Sequence, residues 1–407
     1  MIRAVTLGLS LAHGSLEDTT ALATRFATQA QRLATDAGAP VRTLRFTLPP
    51  LGPEHENRAA IGSLMGTASR LAEASGLRWF CLPLDFGVPG PRKERLAAVL
   101  AGLQAHRRMF VNCMIERDSG VHGEAVHDVA RLILDVSRQS NNGFDNFRVG
   151  ASSQCPPHAP FFPASRHVGE APAFSFALET TPVALASLRG LDARATLTER
   201  RDALVASLAE TLGTAEALGL ALERESGVAY KGLDASFAPF PDGSASVAAL
   251  VEAFGGSPVG SAGTLFVTAA LTDLLRAALR RSGATPAGYN GVMYSILEDD
   301  RLAAENARRR LSIDALLSYA AVCGCGLDML PLPGAAAPED IAALILDVAG
   351  LSTRLKKPLA LRVLPVPGKA VNEFTAYNLD FLCDSRVMDL QHVERPPLRS
   401  GPWRDLA

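Results

Sequence analysis

The chain has 407 residues, of which 48% are apolar and 20% charged, with a formal net charge of -2 and a pI near 6.5. That length buries a large core, in one large domain or in two or three smaller ones. The composition excludes a disordered chain, and the balanced charge leaves no electrostatic footprint for nucleic acid or an anionic membrane.

Residues 2–9 read as a strand, and Ser15-Leu16-Glu17-Asp18 offers an N-cap with an acidic first turn for a helix running to about Gly38. A strand at 41–48 ends in Pro49-Pro50, followed by a helix at 57–74, a strand at 78–84, a helix at 92–105 and a strand at 109–115. Asp118 or Ser119 is placed to cap the next helix, which closes near Asn141-Asn142-Gly143. Strand and helix alternate strictly to this point, and parallel strands need long return connections, so a parallel sheet with helical crossovers is predicted. Strands at 147–151 and 173–178 follow, then a long Arg/Glu-rich helix at 195–221, a strand at 228–236 and helices at 245–254 and 265–281. A helix near 314–323, one capped near Pro338 and a strand at 359–366 complete the pattern, with an irregular Pro/Arg-rich tail. One large α/β domain spanning 1–407 is expected, with 1–190 and 191–407 as its sub-halves.

Three stretches interrupt the alternation. Residues 154–167 carry prolines at 156, 157, 160 and 163, which forbid helix and central strand, so this is a rigid loop bearing Cys155, His158 and His167. Residues 255–264 form a glycine-rich turn before a helix, where free amides could hold an anion; Gly260, Ser261, Gly263 and Thr264 are its candidate contacts. The turn matches neither dinucleotide nor P-loop spacing. Residues 285–334 hold Glu298-Asp299-Asp300 after an apolar run, then Asp328 just after Gly324-Cys325-Gly326. Two acidic turns at adjacent element ends are how α/β enzymes place polar groups over a sheet edge.

Each signal has a structural alternative. Clustered carboxylates can supply a general base or bind a hard divalent cation through Glu298, Asp299 and Asp328, or decorate a helix N-terminus. Asp328 and Asp234, beside apolar strand residues, are costly to bury unless paired or functional. His158 and His167 can carry protons or contact substrate, or simply hydrogen-bond within the loop; Cys155 and His158 lack the second pair a zinc site needs. Cys323 and Cys325 read as small buried residues near a tight turn. Arg148 and Arg362 lie in strands, where a guanidinium wants a carboxylate, as an ion pair or a substrate clamp. The six cysteines are scattered, the opening Met1-Ile2-Arg3-Ala4 runs straight into a strand pattern, and no uninterrupted apolar run reaches the ~18 residues of a membrane helix. A cytoplasmic protein without disulfides and without a membrane partner is expected.

Several motifs carry a resemblance: the start Ile2–Gly8, the loop at 155–167, LDASFAPFPDGSASVAALVEAFG at 233–255, GSAGTLFVTAALTDLL at 260–275, Glu298-Asp299, VCGCGLDMLPLPG at 322–334 and RVLPVPGK at 362–369. In this order they resemble the PFL-like family, the DUF711/UPF0210 group of uncharacterised prokaryotic proteins named for kinship to pyruvate formate-lyase. The resemblance implies a large, mostly parallel, barrel-like α/β sheet surrounded by helices, of the glycyl-radical-enzyme kind, assembled as a homodimer. The chain departs from the family pattern at Gly324-Cys325-Gly326 and at Leu297. Gly401, in Arg399-Ser400-Gly401-Pro402-Trp403, does not match a glycyl-radical loop, so no radical chemistry is expected.

Together these features predict an enzyme, of lyase or hydrolase type, acting on a small anionic metabolite in the mouth of an α/β barrel, on loops that follow strands. Its acid/base groups or metal ligands would be Glu298, Asp299 and Asp328, with His158 and His167 as proton carriers or substrate contacts. Asp234, Arg148, Arg362 and the 260–264 turn would bind substrate, and a divalent metal is the one cofactor suggested. The alternative is a non-catalytic small-molecule sensor of the same fold.

Overall fold

The computed structural model describes residues 1–12, 15–117, 120–192 and 194–392, Arg117 in its backbone only. The Asp118 or Ser119 cap, His13 and the Gly401 segment lie outside the described residues. In chain order the elements are β1 (Ile2–Gly8), α1 (Leu16–Asp36), β2 (Val41–Thr47), α2 (Arg58–Ala74), β3 (Trp79–Asp85), α3 (Lys93–Ala105) and β4 (Met109–Met114). Next come β5 (Glu116–Arg117), β6 (Gly120–Val121), α4 (Gly123–Gln139), a 3-10 stretch Asn141–Arg148, β7 (Val149–Ser153), β8 (Ala173–Leu178), α5 (Thr181–Arg189), α6 (Leu197–Ser226) and β9 (Ala229–Asp234). Then follow α7 (Val247–Gly255), α8 (Thr264–Ser282), a 3-10 turn Ile296–Glu298, α9 (Asp300–Ala307), α10 (Ile313–Ala320), β10 (Gly326–Pro333), α11 (Pro338–Leu355) and β11 (Leu359–Val366).

Nine strands form one sheet in the order β10-β11-β7-β4-β3-β2-β1-β8-β9. The five central strands are mutually parallel. At each flank a parallel pair runs the other way, joined through antiparallel seams β1/β8 and β7/β11. The helices after β1, β2, β3 and β4 supply the crossovers that the alternation predicts. Between β7 and β8 the chain returns through the 154–172 loop instead, which reverses the strand direction. Helix α5 has no counterpart in the periodicity reading; Pro182 stands in its first turn, where a missing N–H costs nothing.

Alternation along the strands separates two faces. On the helix side Val5, Leu7, Leu44, Phe46, Phe80, Leu82, Val111, Leu361 and Val363 belong to one continuous buried core. On the other side, register aligns Thr6 with Arg45 and Gly8 with Thr47, and Arg45 with Trp79 and Thr47 with Cys81. Small and polar residues on this inner face mean that something other than a helix covers it. Helix α6 is long and apolar enough to cross a membrane by length and composition, but Leu204, Leu208, Leu212 and Leu222 are buried in the core.

Residues 285–295, irregular in themselves, touch both outer strands. Leu233 bridges Pro286 and Phe237 bridges Val292 on the β9 side, while Ser295 bridges Asp328 of β10. This double contact requires two glycines at a close backbone approach: a Cβ on Gly324 would lie 2.6 Å from the Gly291 Cα and 2.7 Å from its N. No rotamer can relieve backbone against backbone. Gly324→Ala should therefore lower stability by about 1–3 kcal/mol. Gly62→Ala, in α2 with open space around the new methyl, should raise it by roughly 0.5–1 kcal/mol. Urea unfolding of both variants checks the pair of signs.

Candidate active site

The inner face is covered by the chain's own proline-rich loop. Prolines lack N–H donors, so the loop's carbonyls must find side chains instead. Thr6 Oγ1 donates to Pro160 O at 2.9 Å, Cys81 Sγ to Pro163 O at 3.2 Å and Asn112 Nδ2 to Ser165 O at 3.1 Å. Ser175 Oγ donates to His158 O at 2.6 Å, and Tyr289 Oη to Ala164 O at 3.2 Å. Residues from β1, β3, β4 and β8 thus hold the loop as a fixed plug.

Between this plug and the N-terminal parts of β1, β2, β3 and β7 lies a cavity of about 470 Å³. Seven arginines (3, 42, 45, 78, 107, 148 and 362) and only three carboxylates (Asp145, Glu298 and Asp328) line it, with a largely aromatic remainder. Arg45 is buried with no ion pair among the described residues. It is 6% exposed, its guanidinium lies 4.6 Å over the Phe162 ring, and its Nε has no partner. Burial, with Arg3 beside it, pushes its pKa down to about 9. A guanidinium stays protonated at neutral pH regardless, and Glu298 across the cavity only partly offsets the burial. Arg3 donates Nη1 to Pro239 O at 2.8 Å. Burial lowers its pKa too, against the pull of Glu298 and Glu179, and it has no ion pair among the described residues. Arg42, by contrast, is paired with Glu179 at 2.6 Å and lies 4.0 Å over Phe240.

Across the cavity, Arg362 organises two of the sequence-selected carboxylates. Its Nε and Nη2 clamp Asp328 at 2.6 and 2.8 Å, and Nη2 also reaches Glu298 Oε2 at 2.8 Å. Burial opposes the charge on Arg362, but Asp328 and Glu298 more than offset it and raise the pKa. Ser295 Oγ donates to the same Glu298 oxygen at 2.7 Å. Glu298 lines the cavity, and its Oε1 stands free of these bonds.

The other selected residues are placed elsewhere. Asp299 is buried as a double cap: Oδ1 accepts from Ser246 Oγ and from the Arg301 and Leu302 amides of α9, while Oδ2 accepts from the Val247 and Ala248 amides of α7. The expected three-carboxylate metal set is thereby corrected. Asp299 does not join Glu298 and Asp328, and the space between those two holds a guanidinium, which repels a divalent cation. Among the described residues no group of three or more His, Cys, Asp or Glu side chains is arranged to hold a metal. Asp234 is fully buried and spends its oxygens on Ser236 and on the Tyr289 and Asn290 amides. Arg148 lines the cavity but is committed to Asp145 at 2.7 Å and to the Leu103, His106 and Met109 carbonyls.

His158 and His167 pack on each other at 5.4 Å between ring centroids, and neither lines the cavity. His167 sits over Gly8, at the far end of β1 from Arg3. Burial, then mutual repulsion, pushes His158 down to about 4, so it is neutral near pH 7. The 260–264 turn caps α8, with Gly260 N donating to Thr264 Oγ1 at 3.0 Å; Gly263 and Thr264 border a separate small hollow of about 190 Å³. Cys325 lines the cavity, and burial beside Asp328 holds it as a thiol; Cys323 is buried nearby. The expectation of groups on loops after strands needs revision as well. Arg3, Arg45, Asp328 and Arg362 stand within strands, because the antiparallel seams bring strand interiors of both directions to one wall. Arg3 and Arg45 escaped the sequence reading, although the alternation Arg42-Thr43-Leu44-Arg45-Phe46-Thr47 carried the signal.

The family described as Uncharacterised ACR (DUF711) matches residues 1–378, and the chain belongs to it. A UPF0210 protein of Pyrobaculum arsenaticum is 30% identical over 98% of this chain and 92% of its own length. One from Pyrobaculum islandicum is 29% identical, covering 97% and 88%, and one from Methanopyrus kandleri 26%, covering 90% and 86%. These names carry no activity.

A buried charge without a partner costs stability in the ligand-free protein. Arg45→Met, similar in length and free of charge, should raise stability by roughly 1 kcal/mol or more. Chemical unfolding in phosphate-free buffer checks this; a drop of that size would mean the guanidinium is already well satisfied.

Proposed function

We propose that this DUF711 protein is an enzyme that binds a small anionic metabolite in the arginine-lined cavity and acts on it by proton transfer, as a lyase or a hydrolase. One observation carries the reading: Arg45 is buried in the wall of a roughly 470 Å³ hollow, its Nε unpartnered and with no ion pair among the described residues. A guanidinium kept in that state is set to meet a negative charge brought from outside. Arg3 adds a second cation on the neighbouring strand.

Glu298 is the proposed general base. Its Oε2 is fixed by Arg362 and Ser295, which orients Oε1 toward a bound molecule, and a base must first be held within reach of its proton. Asp328, clamped at both oxygens, positions Arg362 and shares its charge. Negative charge that develops on the substrate would be met by Arg3 and Arg45, already in place and shielded from water by the loop. We read residues 286–295 as the rung that joins the two sheet edges into a barrel of the pyruvate formate-lyase-like kind. The bridges at both β9 and β10 support that reading, and it makes the cavity the barrel's interior.

The test is incubation of the purified protein with a mixture of anionic metabolites, followed by mass spectrometry of the mixture. Wild type should deplete one species, and Glu298→Gln should slow that depletion ~100-fold or more while still retaining the molecule. Retention without depletion by wild type would identify a sensor instead, and wild-type turnover by Glu298→Gln would remove Glu298 from the chemistry.

A further inference from the structure

We propose that the molecule taken by this cavity has a doubly negative head group, seated against Arg3 and Arg45, on an aromatic or other flat apolar body. The proposal rests on the anion-binding reading above and narrows it. Charge balance is its first support. Three of the cavity arginines, Arg3, Arg45 and Arg78, have no carboxylate partner among the described residues; Arg78 is exposed and solvated, which leaves part-buried Arg3 and buried Arg45 on adjacent strands, and a singly charged ligand would leave one of these two uncompensated. A dianion balances both. A phosphate monoester or a compact dicarboxylate meets this requirement equally, since each presents several oxygens to the N–H forks of two arginines.

Orientation follows from the opposite wall. Arg362 is already matched by two carboxylates, so that corner carries a net negative charge and repels an anionic head. The head must lie at the Arg3 and Arg45 end, leaving the uncharged part of the molecule beside Glu298 Oε1. The walls between are aromatic. Phe110 lies 5.3 Å from Trp79, 5.4 Å from Phe162 and 5.6 Å from Phe147, centroid to centroid. Because Arg45 lies over the face of Phe162, its N–H edges stay free to donate sideways. The volume of about 470 Å³ leaves room for a ring beyond the head group.

Titration calorimetry on the full-length protein tests this with three probes: phenyl phosphate, phenyl sulfate and inorganic phosphate. The first two share shape, but at pH 8 only the phosphate ester is a dianion, its second pKa lying near 6. Phenyl phosphate should bind about tenfold or more tighter than phenyl sulfate, the worth of one further charge-assisted contact, and tighter than inorganic phosphate. Its advantage over the sulfate should vanish at pH 5 and in Arg45→Gln, whose fold is verified by its unfolding midpoint. Equal, Arg45-dependent binding of sulfate and phosphate esters would overturn the dianion and leave the anion-binding reading standing. Inorganic phosphate binding as tightly as phenyl phosphate would overturn the apolar body. No binding by any probe, or binding indifferent to Arg45, would overturn both the inference and the reading beneath it.

Discussion

A buried guanidinium that faces a cavity with no ion pair among the described residues is the constraint from which the rest of this structure can be understood. In a low-dielectric wall such a group is expensive to keep, and the chain spends stability on holding Arg45 there. Its neighbours explain how it is tolerated. The Phe162 face lies beneath it, and Glu298 supplies a weak longer-range attraction. These contacts ease the cost without removing it. On the proposed reading, a negative group in the hollow would remove what is left of that cost.

The plug makes the arrangement possible. Its four prolines are rigid and poor in donors, so its carbonyls draw Thr6, Cys81, Asn112 and Ser175 off the inner face of the sheet. The same loop carries Phe161 and Phe162 to the cavity and His158 and His167 away from it. One segment therefore seals the interior, floors the cavity and stacks under its central cation. The glycines at 291 and 324 perform a similar service at the far edge, letting the 285–295 segment approach β10 so that Ser295 can orient Glu298.

Much of the fold was legible because alternating strands and crossover helices leave a strong periodic trace, and β11 falls at 359–366 as the pattern predicts. The meeting of Glu298, Asp328 and Arg362 was partly legible, since buried charges in strands must find each other. Asp299 shows the limit. Its neighbour's chemistry is identical in sequence, yet a one-residue step turns it from the cavity into the caps of α7 and α9. Glu298 ends the 3-10 turn and Asp299 caps α9, so position, not residue type, decides the role. His158 and His167 failed to reach the cavity for a comparable reason: a loop that reverses direction starts and ends at the C-terminal ends of the central strands, where the two rings stack, whereas the cavity lies at the N-terminal ends. Arg3 and Arg45 were hidden because an arginine inside an apolar strand reads as an ordinary edge residue until the inner face is known.

Native mass spectrometry of the protein, released gently from the cells that made it, shows whether the arginine-lined cavity holds an anion. Wild type should carry a small, non-covalent anionic molecule that is absent from Arg45→Met prepared in the same way. A wild-type chain with no added mass, or an identical addition on both proteins, would contradict it.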